Sequence, residues 1–168
     1  MFREMRRIKQ LLTKEETVGI LKARTAGVLG VNGDGGYPYT VPVSYAFEEG
    51  ADCDRLYFHC AYEGHKIDGI KQNDKVTFSV IDKDDVIQET FTTHFRSVSI
   101  FGRARILEDM EEKQHAMEIQ VQKYSPDFVK EGKVEIEKAW SRLCVVEIKV
   151  EHMTGKAATE LVISGKPQ

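Results

Sequence analysis

Hydrophobic and polar positions alternate over several short stretches of this chain, and most stretches end at a turn signal. The clearest runs from Phe95 to Ile106. Val98, Ile100, Gly102, Ala104 and Ile106 share one face, and Ser97, Ser99, Arg103 and Arg105 share the other, the period of two that a half-buried strand requires. Lys75 to Ile81 repeats the pattern with Val76, Phe78 and Val80. Arg55 to Cys60 sets Leu56, Phe58 and Cys60 against Tyr57 and His59, and Ser141 to Val150 puts Cys144, Val146, Ile148 and Val150 on one side. Thr25 to Val31 is a short apolar run closed by Asn32-Gly33-Asp34-Gly35-Gly36, a hairpin signal. The predicted return strand spans Tyr37 to Phe47, with Val41, Val43, Tyr45 and Phe47 aligned and Glu48-Glu49-Gly50 ending it.

Helical spacing is rarer. Thr13-x-x-Glu16 is a capping box before Val18 and Leu21, which predicts a first helix over 13–23. Ile67 and Ile70 suggest a short helix within Gly64 to Asn73. Met110, Met117, Val121 and Tyr124 predict another, ended at Ser125-Pro126. The polar stretch Asp82 to Thr93 reads as a long loop, and 151–168 as a C-terminal tail that wraps a partner or stays disordered. With no repeat or linker, 1–168 reads as one domain. About six strands, with helices inserted singly, predict a mainly β (α+β) fold: a six-stranded antiparallel barrel with peripheral helices.

Composition narrows the function classes. The 168 residues are 41% hydrophobic and 30% charged, with a net charge of −3. That charge leaves no general electrostatic footprint for nucleic acid. No stretch approaches the ~18 apolar residues of a membrane span. The basic start Met1 to Arg7 lacks the apolar core of a signal peptide. Cys53, Cys60 and Cys144 form no C-x-x-C pair and read as free thiols, so a cytoplasmic location is expected. His59, Cys60 and His65 match no usual zinc spacing, and no metal is expected. Motifs of serine hydrolases, zinc proteases and Walker-type nucleotide binding are missing.

Three places carry candidate chemistry. Gly64-His65-Lys66 opens a helix after a strand, where free N–H groups, the helix dipole and a lysine favour an anion such as phosphate; a solvated turn has the same composition. His59 is either a hydrogen-bonding group beside a bound ring or a histidine satisfied by a carbonyl. Arg96-Ser97 suits a phosphate clamp, or Arg96 is an outward arginine paired to an acid. Pro42 within a strand implies an edge, a bulge or a break, since proline cannot donate to the ladder.

Taken in order, Met5-Arg6-Arg7, Gly36-Tyr-Pro-Tyr-Thr-Val-Pro-Val43, Leu56-Tyr-Phe-His-Cys-Ala61, Gly64-His-Lys66, Phe95-Arg-Ser-Val98, Phe101-Gly-Arg-Ala104, Ile148 and Met153-Thr-Gly-Lys156 resemble the nitroimidazole-resistance (Nim) branch of the pyridoxamine 5′-phosphate oxidase-like split-barrel flavoproteins. The resemblance spans nearly the whole chain. It implies a six-stranded split barrel, a homodimer, and FMN between the subunits. It implies that Thr40, Val41, Pro42, Val43 and Ser44 line the isoalloxazine and offer backbone hydrogen bonds. Phe58, His59 and Ala61 would lie at the flavin, His65 and Lys66 at its phosphate, and Arg96 and Ser97 would add polar contacts. His59 matches the histidine near the substrate, so the implied activity is FMN-dependent reduction of a small nitro- or carbonyl-bearing heterocycle. A non-catalytic flavin-binding redox protein and a haem-binding split barrel are the alternatives. The fuller arginine and lysine set for a substrate phosphate in true pyridoxamine-phosphate oxidases is missing.

Overall fold

The computed structural model describes residues 2–164. Helix α1 (Lys14–Ala23) begins at the predicted capping box: the Glu16 amide donates to Thr13 Oγ1, and the Thr13 amide to the Glu16 carboxylate. Seven strands follow: β1 (Ala26–Asn32), β2 (Pro38–Ser44), β3 (Ala46–Glu48), β4 (Arg55–Cys60), β5 (Lys75–Ile87), β6 (Thr92–Ile106) and β7 (Cys144–Ala157). Helix α2 (His65–Gln72) lies between β4 and β5, α3 (Met110–Tyr124) and α4 (Val129–Ala139) between β6 and β7, and α5 (Thr159–Ser164) ends the described chain. Among the described residues no helix is long and apolar enough to cross a membrane.

All strands join one antiparallel sheet in the order β2-β1-β5-β6-β7-β4-β3. Only Tyr45 separates β2 from β3, yet they occupy opposite edges, so the sheet must curl until its edges meet. The predicted strand Tyr37 to Phe47 is therefore two strands, and the count is seven where six were expected. The break has a local cause. Tyr45, Ala46 and Phe47 are all buried, which a period of two does not permit without a bend. The Tyr45 hydroxyl donates to Leu21 O at 2.9 Å, and the Tyr124 hydroxyl lies 2.6 Å from the carbonyl oxygens of Thr25 and Tyr45, tying the junction to α1 and α3.

Leu29, Leu56, Phe58, Phe78, Val80, Val98, Ile100 and Ile148 fill the barrel, closed by Leu21 of α1 and Ile67 of α2. A smaller cluster, including Tyr57, Met117, Ile136 and Val145, joins α3 and α4 to the outside of β4 and β7. A Cβ on Gly155 would lie 2.2 Å from Thr17 Oγ1, so glycine there allows α1 to pack on β7.

Two expectations are corrected. Asp82 to Thr93 is not a long loop: β5 continues to Ile87, and Lys83 to Ile87 pair with Thr92 to Arg96 after a bulge at Asp82. This hairpin arm buries neither face (Val86 is 69% exposed and Phe91 96%), so it has no hydrophobic alternation to read. Nor does a tail start at 151. Residues up to Ala157 belong to β7 and pair with Arg96 to Phe101. The remainder of the predicted tail beyond residue 164 lies outside the described residues.

Candidate functional site

β2 is an edge strand, paired on one side only with β1. Pro42 lies opposite Val28 in unbroken register, so it marks an edge and not a bulge. Thr40, Pro42 and Ser44 point outward and are exposed; Val41 and Val43 are half-buried against the core. The two valines therefore have chiefly backbone to offer a ligand. On the other side of the junction, β4 pairs with β3 from Arg55 to Tyr57, and from Phe58 to Cys60 that edge has no strand partner. Two unpaired edges thus diverge from Tyr45, leaving a split in the barrel wall between β2 and the end of β4.

The start of α2 is fastened to the far end of β2. The His65 ring packs on Tyr39 with centroids 4.1 Å apart, and His65 Nε2 lies 3.4 Å from the Asp34 amide nitrogen and 3.5 Å from its carboxylate. Gly64 caps this helix with φ 121°, a left-handed conformation suited to glycine, and contributes no capping side chain. The first amides to find a helical carbonyl are those of Ile67 and Asp68, both on Gly64 O. Lys66 is half-buried, and among the described residues it makes no ion pair with a carboxylate. A cation without an internal counter-ion, beside uncapped helix amides, is arranged to receive an anion.

His59 is exposed at the other side of the split, and its Nδ1 lies 2.8 Å from Gln120 Oε1 on α3. Gln120 is only 4% exposed, and its amide nitrogen donates to Met117 Sδ at 3.6 Å. Its oxygen therefore faces the imidazole and accepts from Nδ1–H, which leaves Nε2 as the acceptor nitrogen with no protein partner among the described residues. Sequence reasoning missed Gln120. The signal was available: it continues the buried α3 stripe of Lys113, Ala116 and Met117, and a polar residue in such a stripe needs a partner.

The remaining predicted residues separate. Ala61 is exposed directly after β4. Phe58 is fully buried in the core, so at the open β4 edge it has backbone, not side chain, to offer a ligand. Arg96 and Ser97 lie toward the opposite end of β2 from Lys66. Ser97 faces Ile81, one strand period beyond the Ser79–Val28–Pro42 row, whereas His65 touches Tyr39. Five residues of strand, roughly 17 Å at ~3.4 Å per residue, divide those levels, too far for one phosphate. Arg96 is also engaged: its Nε and that of Arg24 (2.6 Å) both bind the Asp82 carboxylate, which is 3% exposed. Burial pushes the Asp82 carboxyl up, but the two guanidinium hydrogen bonds outweigh it and hold it below the usual carboxylate range.

The outward residues of β2, β1, β5 and β6, among them Thr40, Val28, Thr77, Ser79 and Ser99, are exposed, in contrast to the helix-covered side of β4 and β7. A separate pocket of about 640 Å³ between α3 and α4, lined in part by Met110, His115 and Trp140, contains none of the predicted site residues.

Comparison with solved structures gives the same architecture. A candidate 5-nitroimidazole antibiotic resistance protein of Bacteroides thetaiotaomicron is 26% identical, with 88% of this chain and 86% of that one covered and a TM-score of 0.68. A conserved hypothetical protein of Mycobacterium tuberculosis superposes at TM-score 0.77 (18% identity, 98% and 95% covered). An FAD and haem binding protein of Mycobacterium smegmatis does so at 0.69 (15% identity, 95% and 81% covered). No curated protein sequence matches. Residues 13–157, from the cap of α1 to the last residue of β7, match the pyridoxamine 5′-phosphate oxidase family, and the chain belongs to that family.

Proposed function

We propose that this protein is an FMN-dependent oxidoreductase of the nitroimidazole-reductase type, acting as a cytoplasmic homodimer on a small nitro- or carbonyl-bearing heterocycle. The observation that carries the reading is Lys66: a half-buried lysine without a carboxylate, at an uncapped helix start, level with one end of an open strand edge. That arrangement fits a phosphate joined to a flat ring system. The phosphate would meet Lys66 and the first amides of α2, and the ring's polar edge the free backbone groups between Thr40 and Ser44. The bare face of β2, β1, β5 and β6 is where a second subunit would cover the ring.

When bound, FMN supplies the redox chemistry. The chain's part is to hold it, to exclude water through the second subunit, and to present His59. With Nδ1–H committed to Gln120, Nε2 is the atom available to the substrate. As imidazolium it donates a proton or hydrogen bond to a nitro or carbonyl oxygen; as neutral imidazole it accepts from an N–H. The likeness to the Bacteroides protein supports the substrate class.

The test is the visible spectrum of the purified protein and the identity of any chromophore released by heat. Flavin bands with FMN released are expected, with weaker retention in Lys66→Ala. A colourless protein that cannot be reconstituted with FMN overturns the reading. A Soret band would instead move the haem-binding alternative to first place, with His59 or His65 as the candidate axial ligand.

A further inference from the structure

Cys60 ends β4 and Cys144 opens β7, and the fold sets them directly opposite each other in the antiparallel ladder. Residues so paired carry their side chains on one face, with Cα atoms roughly 4.5–5.5 Å apart, inside the ~4.4–6.8 Å span that a disulfide bridges without backbone movement. Cys144 is fully buried, whereas Cys60 is half-buried at the end of the β4 edge that lacks a strand partner.

We propose that Cys60 and Cys144 are a cross-strand dithiol that peroxide converts to a disulfide, a covalent modification site in the barrel wall adjoining His59. The less buried member, Cys60, reacts first. The Cys60 sulfur loses its proton and attacks one peroxide oxygen, the O–O bond breaks, and the departing hydroxide takes up a proton as water. This leaves a sulfenic acid on Cys60. The Cys144 sulfur, directly across the ladder, attacks that sulfur and displaces its oxygen as a second water, carrying the Cys144 proton. Two thiols and one hydrogen peroxide give one disulfide and two waters.

The surroundings set the rate. Burial holds the Cys60 thiol up at about 11 and raises Cys144 as well, while Lys66 pulls both down and Lys71 and Lys113 act on Cys144. Both sulfurs are therefore protonated at neutral pH, and closure is slow there but accelerates as pH rises toward 11. Cys53, in the turn before β4 and hydrogen-bonded to Asp52 at 3.7 Å, has no cysteine opposite it and serves as the internal control.

The experiment treats the folded wild-type protein with hydrogen peroxide, alkylates remaining thiols in denaturant, and maps peptides without reduction. The expected result is a Cys60–Cys144 linked peptide, an intact mass lower by two hydrogens, and a thiol titre falling from three to one, all reversed by dithiothreitol. Cys53→Ser leaves the mass loss intact and Cys60→Ser abolishes it. A Cys60 that advances to sulfinic acid, links to Cys53 or to a second chain, or remains alkylatable under conditions that oxidise free cysteine overturns the proposal. The readout requires no flavin, so it stands or falls separately from the proposed activity.

Discussion

The two ends of β2 carry cations in opposite circumstances. Near Tyr39, Lys66 stands at the start of α2 with no carboxylate among the described residues paired to it. Near Ser44, Arg24 and Arg96 converge on Asp82, the extra residue of the β5 bulge. One opens a helix, the other joins the end of α1 to strand β6, and in the sequence both Gly64-His65-Lys66 and Arg96-Ser97 suit an anion. What separates them is the internal counter-ion. Asp82 hydrogen-bonds both arginines and offsets one of their two charges, so that end commits its guanidinium groups to structure. Lys66 has no such partner among the described residues, and its charge is available to a ligand. A basic residue therefore argues for an anion site only where the fold denies it an acid.

The sharpest way to break this contrast is to remove the structural counter-ion. Asp82→Ala leaves two guanidinium groups facing each other at the bulge. The expected loss is about 2–3 kcal/mol, less than the ~3–5 kcal/mol of a fully buried pair because both arginines are about half exposed. Urea denaturation of the apoprotein measures it. Acid tests the same group without mutation. The folded Asp82 carboxyl lies below its unfolded value, so its stabilisation is complete above the ordinary aspartate pKa of about 3.9 and is lost as pH falls through the folded value. Asp82→Asn should flatten that acid limb. An unchanged acid limb would place the pairing outside the stability of the fold.

Lys66→Ala should behave in the converse manner. A lysine with no internal partner contributes little to the fold, and the apoprotein should change by less than about 0.5 kcal/mol. Its FMN affinity should fall about 10- to 100-fold, the worth of one charge-assisted hydrogen bond at ~1.5–3 kcal/mol. Titration of apoprotein with FMN by fluorescence quenching measures the affinity. A stability loss like that of Asp82→Ala would abolish the distinction between the two ends.

The sequence made some of this legible and left other parts hidden, for reasons tied to particular residues. Strands with one buried face, such as Phe95 to Ile106, appear in the alternation. The arm from Asp82 to Ile87 buries neither face and shows none. The β2–β3 break at Tyr45 was hidden because one residue of the wrong phase does not interrupt an alternating run. His59, Lys66 and the outward positions of β2 were read from motif and resemblance, and the fold sets them on the strand edges and helix start that border the split in the barrel wall. That the Phe58 side chain enters the core was not legible from the motif, because a motif names neighbours in sequence without saying which face they occupy. Gln120 and the Cys60–Cys144 pair were missed because their significance lies in contacts between distant strands and helices.

Gln120→Leu sharpens the picture at intermediate size. The substitution removes the acceptor of His59 Nδ1–H while preserving bulk in α3, and His59, being exposed, can turn to water. The expected stability change is about 1 kcal/mol or less. Ring nitrogen chemical shifts in the 15N-labelled protein should show His59 moving from a single Nδ1–H tautomer to a mixture. A wild-type Nε2–H tautomer would reverse the assigned direction of the Gln120 hydrogen bond.

Arg96→Gln is the smallest effect and the most discriminating. Resemblance to the family sets Arg96 among the cofactor ligands, whereas the ion pair with Asp82 assigns it to the base of the hairpin arm. Asp82 keeps Arg24 in the variant, and Arg96 is 44% exposed, so the stability cost should be that of a partly screened pair, about 0.5–1 kcal/mol. FMN affinity should stay within about twofold, since a guanidinium already hydrogen-bonded to a carboxylate would have to leave it to reach a second anion. If Arg96→Gln releases FMN as readily as Lys66→Ala, the Asp82 pair does not hold Arg96 back from the ligand. The cation site would then extend along the whole of β2, and the presence of an internal acid would cease to separate its two ends.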